Sequence, residues 1–374
     1  MSTGVGHHSA EHSAAGPAGD TDALEALIHS GGEKLRERMA RIELHLERVT
    51  AAAGAPLAKH ANATIMAGGK RLRPLLVVLA AEFAGSDLLP PTPTDLPGPS
   101  SSGRSAPLDT DAGDECLIRA AVAVELVHSA TLVHDDVIDG AQLRRGRPTV
   151  AAGAGREVAI ATGDLLFSRA FAELARNEDQ TQLRALSDAS SALAAGELLQ
   201  REDAYAPRVT IERYLRRCEL KTAALFEAAC RLGALIAAGV GSTDLADALG
   251  AFARRIGLAF QILDDVLDVS GPVERTGKSR GTDLLDGTVT LPLILARERD
   301  SELAGVDLAA LRGARQAEEL CERIAATGAL EQARARALVL VAEAKAALPP
   351  PATGLAGSPA PLEQVADAVV ERYR

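Results

Sequence analysis

The sequence predicts an all-α protein, a single large antiparallel helical bundle around one core. Three observations predict it. Apolar residues recur at threes and fours along nearly the whole chain. No stretch alternates convincingly as a strand, and no Asn-Gly or Asp-Gly pair joins two strand-like runs; the pair Asp286-Gly287 follows a helical pattern instead. The helical stretches are apolar over wide faces, so they bury those faces against one another.

The elements follow in order. DALEALIHSGGEKLRERMARIELHLERV (22–49) reads as the first long helix. RPLLVVLAAEFA, CLIRAAVAVELVHSATLVHDD, VAIATGDLLFSRAFAELAR, LSDASSALAAGELLQRE and TIERYLRRCELKTAALFEAACRLGALIAA each read as one more. Three segments interrupt the pattern. Residues 1–20 are rich in Gly, Ala, Ser and His and read as a disordered tail; His7, His8 and His12 lie there and could bind a metal, but an untethered tail is the preferred reading. The stretch at about 88–113 is too rich in Pro, Ser and Gly to pack and reads as a flexible surface loop. A Pro/Gly-rich segment at about 348–361 precedes the last helix. None marks a domain boundary, because helical patterns resume after each, so residues 21–374 form one helical domain.

Composition narrows the function. Hydrophobic residues make up 47% of the chain, enough for a large core, but aromatics are only 2% and Trp is absent, so any cavity has small, smooth apolar walls. The net charge of −11 argues against a nucleic-acid partner, which calls for a basic face. The four cysteines lack CxxC spacing and read as incidental thiols in a reducing compartment. The N-terminus has no apolar signal region, and runs such as LLVVLAA fall short of the ~18 residues that cross a bilayer. A cytoplasmic protein without stable membrane insertion is the expectation.

The chemistry concentrates in two acidic clusters. HDDVIDGAQLRRGRPT carries Asp135, Asp136 and Asp139; FQILDDVLDVSG carries Asp264, Asp265 and Asp268, 129 residues further on by first positions (264 − 135). On a helix Asp135 and Asp139 share a face one turn apart, where like charges repel. One DDxxD on a surface helix reads as a solvated polar end, but two copies, each ending a strongly apolar helix, do not. If they face one cavity, the charge needs hard divalent cations: carboxylate oxygens suit Mg²⁺, which shares its shell with substrate phosphates. Zinc is disfavoured, since no His/Cys set has its spacing. Cations for a phosphorylated ligand are at hand. GGKRLRP supplies Lys70, Arg71 and Arg73 beside Gly68 and Gly69, which allow close backbone approach; Arg144 and Arg145 follow the first cluster, Lys221 and Thr222 lie in ELKTAALF, and Lys278 follows the second cluster.

GGKRLRP, ELVHSATLVHDDVIDGAQLRRGRPT, GELLQ, KTAALF and FQILDDVLDVSG…GKSRGTDL…TLP resemble, in that order, the trans-isoprenyl diphosphate synthases. The resemblance spans about residues 25–345 and implies the isoprenoid-synthase helical fold around a central cavity, and a Mg²⁺-dependent prenyltransferase using three ions. It implies that Asp135, Asp136, Asp139, Asp264 and Asp265 hold the ions, with Asp268 acting through water. Arg144, Lys221 and Lys278 would bind the allylic diphosphate primer. Lys70, Arg73, His128 and Arg145 would bind isopentenyl diphosphate, and Thr222 and Gln261 would lie near the developing allylic cation. His134 immediately precedes the cluster, and the resemblance gives it no fixed role; helix packing is its bland reading. The family is usually homodimeric. One departure is DGTVTLP, where Thr288 stands in place of a frequent Lys.

Product length should be set one turn below the first cluster. Ala130 and Thr131 are small where short-chain members carry a bulky aromatic, and Val127 lies beneath. The string HSATLVHDDVID resembles the long-chain enzymes that supply quinone tails, so a long-chain polyprenyl diphosphate is expected. Rival readings are a geranylgeranyl or farnesyl diphosphate synthase, a non-catalytic partner subunit, which would lose the aspartates, and a Ca²⁺-binding scaffold, which would lack a use for the cations.

Overall fold

The structure, a computed structural model, describes residues 21–52, 54–85, 110–238, 243–271, 280–350 and 360–371. The expected tail 1–20, most of the expected loop and part of the Pro/Gly segment lie outside them. The described part begins with α1 (Thr21–Ser30) and α2 (Gly32–Ala51), so the single helix expected over 22–49 is broken at the Gly31-Gly32 pair. Then come α3 (Ala55–Met66), α4 (Leu72–Phe83) and α5 (Thr110–Asp139). Residues 110–113, expected as loop, are already helical.

After a short hairpin follow α6 (Val150–Ala154), α7 (Arg156–Ala175), α8 (Gln180–Asp203) and α9 (Ile211–Cys218). A π-helical turn (Glu219–Ala223) leads into α10 (Ala224–Ala238), and α11 (Thr243–Ser270) follows. The chain closes through α12 (Thr282–Leu285), α13 (Leu291–Arg297), α14 (Ser301–Ala304), α15 (Ala314–Ala326), α16 (Ala329–Ala346) and α17 (Ala360–Glu371).

The architecture is the expected all-α bundle. α10 sits at its centre, packed on α4, α11, α8 and α5. α5 lies along α7, α11 along α16, and α17 touches α1, α4 and α11, so both ends of the described chain meet the bundle. The run Leu75–Ala80 is buried on every face, which is why its sequence reads as unbroken apolar rather than amphipathic. The core is aliphatic, with Tyr214, Phe226 and Phe252 fully buried in it and Phe83 nearly so. Cys218, Cys230 and Cys321 are buried, Cys116 is half-buried, and all four are free thiols.

Two features correct the sequence reading. A two-residue hairpin pairs Leu143–Arg144 with Arg147–Pro148, where no strand was expected. Arg145 (φ 52) and Gly146 (φ 73) turn it, the positive-φ pair a tight hairpin requires. Strands of two residues are too short to show alternation. In addition, the stretch Ala112–Asp139 is long and apolar enough to cross a membrane, against the expectation that no run is; 72% of its most apolar window is buried inside the bundle, which makes it a core helix.

Candidate functional site

The first cluster ends α5, where a helix C-terminus disfavours carboxylates. Among the described residues each of its aspartates pairs with a cation. Arg144 donates to Asp136 Oδ1 through Nε (2.8 Å) and a terminal nitrogen (2.7 Å). The hairpin is what turns Arg144 back onto the helix it follows. Lys221 Nζ lies 3.8 Å from Asp135 Oδ2, and Arg201 pairs with Asp139. Burial pushes the Asp135 carboxyl up to about 6; Lys221 works against the rise, while Glu197 and Asp139 add to it.

Lys221 and Thr222 sit in the π-helical turn, a form that recurs at functional sites because it widens the helix and re-aims its side chains. The sequence read 210–238 as one plain helix, since nothing in its periodicity marks a one-residue insertion. Two glycines let neighbours press on this turn. A Cβ on Gly196 of α8 would fall 2.5 Å from the Lys221 backbone nitrogen, and one on Gly257 of α11 would fall 2.8 Å from Ala223 Cα. Glu197, next to Gly196, pairs with Lys221 and accepts from Arg201 Nε at 3.1 Å. Burial alone would raise the Glu197 carboxyl, but Lys221 and Arg201 hold it below its ordinary value.

The same turn reaches the second cluster. Thr222 Oγ1 donates to Gln261 Oε1 (2.6 Å), and Gln261 Nε2 donates to Asp265 Oδ1 (2.8 Å). Tyr214, fully buried, donates to Asp265 Oδ2 at 2.6 Å. The two clusters are thus joined by the run Asp135, Lys221, Thr222, Gln261, Asp265. Asp265 is buried and both its oxygens are engaged; burial, with Asp283 adding, raises its carboxyl. Asp264 and Asp268, four residues apart, share the half-exposed side of α11. Asp268 Oδ2 accepts from the Asp283 backbone N–H at 3.3 Å.

The other cations gather beside α5. An added Cβ at Gly69 would lie 3.3 Å from two Arg145 guanidinium nitrogens, so the Gly-rich loop and the hairpin adjoin. Arg73 stacks over the Phe226 ring at 4.8 Å, and Phe226 in turn meets Phe260, next to Gln261, at 5.7 Å between ring centres. Burial lowers the Arg73 guanidinium to about 10. His128 is held well below its ordinary value by burial and then by Arg73, Arg145, Arg144 and Arg71. Lys70 lies in the same loop. Arg71 does something else: with φ 47 it turns its guanidinium to Glu43 (2.5 Å), Glu125 (2.8 Å) and the Ile65 carbonyl (2.9 Å), fixing the loop to α2 and α5.

Below the first cluster, Ala130 and Val127 are fully buried, and Thr131 Oγ1 is satisfied by the His128 carbonyl at 2.7 Å. His134 packs on α7, its ring 5.8 Å from Phe167 and its Nε2 3.3 Å from the Ile160 carbonyl. Thr288 is half-buried, its N–H bonded to the Asp283 carbonyl at 2.8 Å. Lys278 lies outside the described residues. Sequence reasoning missed Glu125, Arg201 and Tyr214; Glu197 was visible only as a letter in GELLQ.

Among the described residues no three His, Cys, Asp or Glu side chains converge as a ready-made metal cage. The donors nonetheless fit a hard cation: they are oxygens only, and each first-cluster carboxylate already holds a positive counter-charge that an ion could replace.

The sequence model of the family described as "Polyprenyl synthetase" matches residues 55–327. The chain is 39% identical over 262 residues to "Heptaprenyl diphosphate synthase component 2" of Geobacillus stearothermophilus, covering 70% of this chain and 73% of that protein. It is 38% identical to "Geranylgeranyl diphosphate synthase" of Methanosarcina mazei, over 66% of this chain and 69% of that one. Among solved structures, the polyprenyl synthase of Caulobacter crescentus, complexed with calcium and isoprenyl diphosphate, superposes with a TM-score of 0.78 at 32% identity, covering 96% of this chain and 99% of that one.

Proposed function

The chain belongs to the polyprenyl synthetase family and is a trans-prenyltransferase that makes a polyprenyl diphosphate, and from that premise we propose that it condenses an allylic diphosphate with successive isopentenyl diphosphates, with Mg²⁺, to a long-chain product. The observation that carries the reading is the run Asp135, Lys221, Thr222, Gln261, Asp265, which ties two distant acidic clusters to one turn of helix.

Asp135, Asp136, Asp139, Asp264 and Asp265 would hold three Mg²⁺ ions, with Asp268 acting through water; each Asp265 oxygen, though hydrogen-bonded to Tyr214 or Gln261, keeps a second lone pair for an ion. When bound, the ions neutralise charge building on the leaving diphosphate. Lys221 and Arg144, with Lys278, bind the primer's diphosphate and stabilise it as the allylic C–O bond breaks and the electron pair leaves with oxygen. Thr222 and Gln261 direct oxygen dipoles at the allylic cation, which needs the dry aliphatic surroundings the core supplies. Lys70, Arg73, His128 and Arg145 hold isopentenyl diphosphate alongside. Its double bond attacks the cation, a carbon–carbon bond forms, and the proton then lost passes to the released diphosphate.

Ala130, Thr131 and Val127, with no bulky ring among them, support a product of about six to ten isoprene units, because small and aliphatic side chains discriminate weakly against added methylenes. Such a chain suits a quinone tail, and the enzyme works as a homodimer, a reading the resemblance supports. A heteromeric enzyme is the second reading, favoured by a relative named as a component; both aspartate clusters are present, so this chain would be its catalytic part. Incubating pure protein with Mg²⁺, farnesyl diphosphate and isopentenyl diphosphate tests the proposal. Chromatography should show long polyprenyl diphosphates; a product that stops at four units would favour the geranylgeranyl reading, and no product without an added partner would favour the heteromer.

A further inference from the structure

Among the described residues three cations pair with the first cluster, and the proposed function gives Lys221 and Arg144 a use in binding diphosphate. Arg201 has none. It lies near the C-terminal end of α8, next to no motif residue of the basic loop or the hairpin, yet it pairs with Asp139 and, through Nε, with Glu197 at 3.1 Å. Its partners differ in exposure. The Glu197 side chain is 13% exposed and anchored by Lys221, whereas Asp139 and Arg201 are 32% and 39% exposed. Arg201 is therefore held from behind by a fixed carboxylate and reaches forward to a looser one.

Asp139 needs that cation when no ion is bound. It ends α5, where the helix dipole is negative, and it stands one turn from Asp135. The guanidinium fork suits the task, because one edge can keep Glu197 while the other engages or releases Asp139. An ion drawn to Asp139 must compete with this pairing. We propose that Arg201 is a built-in counter-ion that occupies Asp139 in the metal-free protein and is displaced from it by divalent metal, so that it weakens metal binding while keeping the empty cluster assembled. This rests on the metal-site reading above.

The two readings separate in one experiment on the full chain. Free Mn²⁺ is followed by electron paramagnetic resonance while metal-free wild type, Arg201→Gln and Arg201→Lys are titrated. Removing a half-exposed competing ion pair should tighten Mn²⁺ binding by about three- to fivefold in Arg201→Gln. Arg201→Lys keeps the charge and should stay near wild type. Metal-free Arg201→Gln should also melt lower than wild type, and added Mn²⁺ should raise its melting temperature by more. Arg201 serving only to support the fold would give weaker binding in Arg201→Gln, and that result, or an unchanged affinity, overturns the inference alone. Failure of all three proteins to bind Mn²⁺ overturns the metal-site reading and the inference with it.

Discussion

On the proposed reading Asp135 and Asp264 carry the most weight among single residues: both are half-buried carboxylates, Asp135 begins the joining run and Asp264 stands next to its last member. Replacing either by Ala should lower turnover by at least ~10²-fold, the scale of losing one preorganised electrostatic group. Far-ultraviolet circular dichroism should stay unchanged, because neither side chain is part of the aliphatic core; near-normal turnover would remove both from the site. His128 gives a pH prediction. Burial and four arginines hold its folded pKa well below the ordinary value of about 6.5, so just below that ordinary value the unfolded chain binds a proton that the folded chain does not. The His128 contribution therefore makes the protein lose stability as pH falls below about 6.5 and adds no slope above it. Urea denaturation at pH 5.5 and 7.5 should show His128→Gln losing less stability than wild type on acidification; an equal loss would remove His128 as the cause. The aspartates, the hairpin arginines and Lys221 were legible in the sequence, because their chemistry is written in close spacing. Arg201 and Tyr214 were not: each meets its aspartate across the fold, 62 and 51 residues away, and neither stands in a motif.

The element that decides the geometry is the π-helical turn with α8 and α11 pressed against it. Gly196 is the price of that approach. Gly196→Ala should destabilise the protein by about 1–3 kcal/mol as an overpacked contact, and should raise the KM for the allylic diphosphate because Lys221 moves. Denaturation and steady-state kinetics together check this; a destabilised variant with unchanged KM would separate the turn from substrate binding. The helices themselves were readable from periodicity, for their apolar faces follow the core. The break at Gly31, the hairpin at Arg145-Gly146 and the π turn were not, since each depends on one or two residues and leaves the surrounding pattern intact.

At the scale of the molecule, the bundle places two clusters 129 positions apart (264 − 135) on either side of one turn of helix, over an aliphatic interior. On the proposed reading the side chains beneath Asp135 limit product length, so Ala130→Phe, which puts a ring one turn below that cluster, should shorten the product on chromatography; an unchanged distribution would move the limit elsewhere. Chelation of divalent metal should abolish turnover and its return should restore it. The all-α class and single core were legible because composition and wide apolar faces leave no alternative, whereas the meeting of the clusters depends on tertiary packing that no local pattern encodes. The most direct test of that meeting is anomalous diffraction from crystals grown with Mn²⁺ and inorganic pyrophosphate. The account predicts ions bridging pyrophosphate to Asp135 on one side and Asp264 on the other; ions bound to one cluster alone, with the other facing solvent, would contradict it.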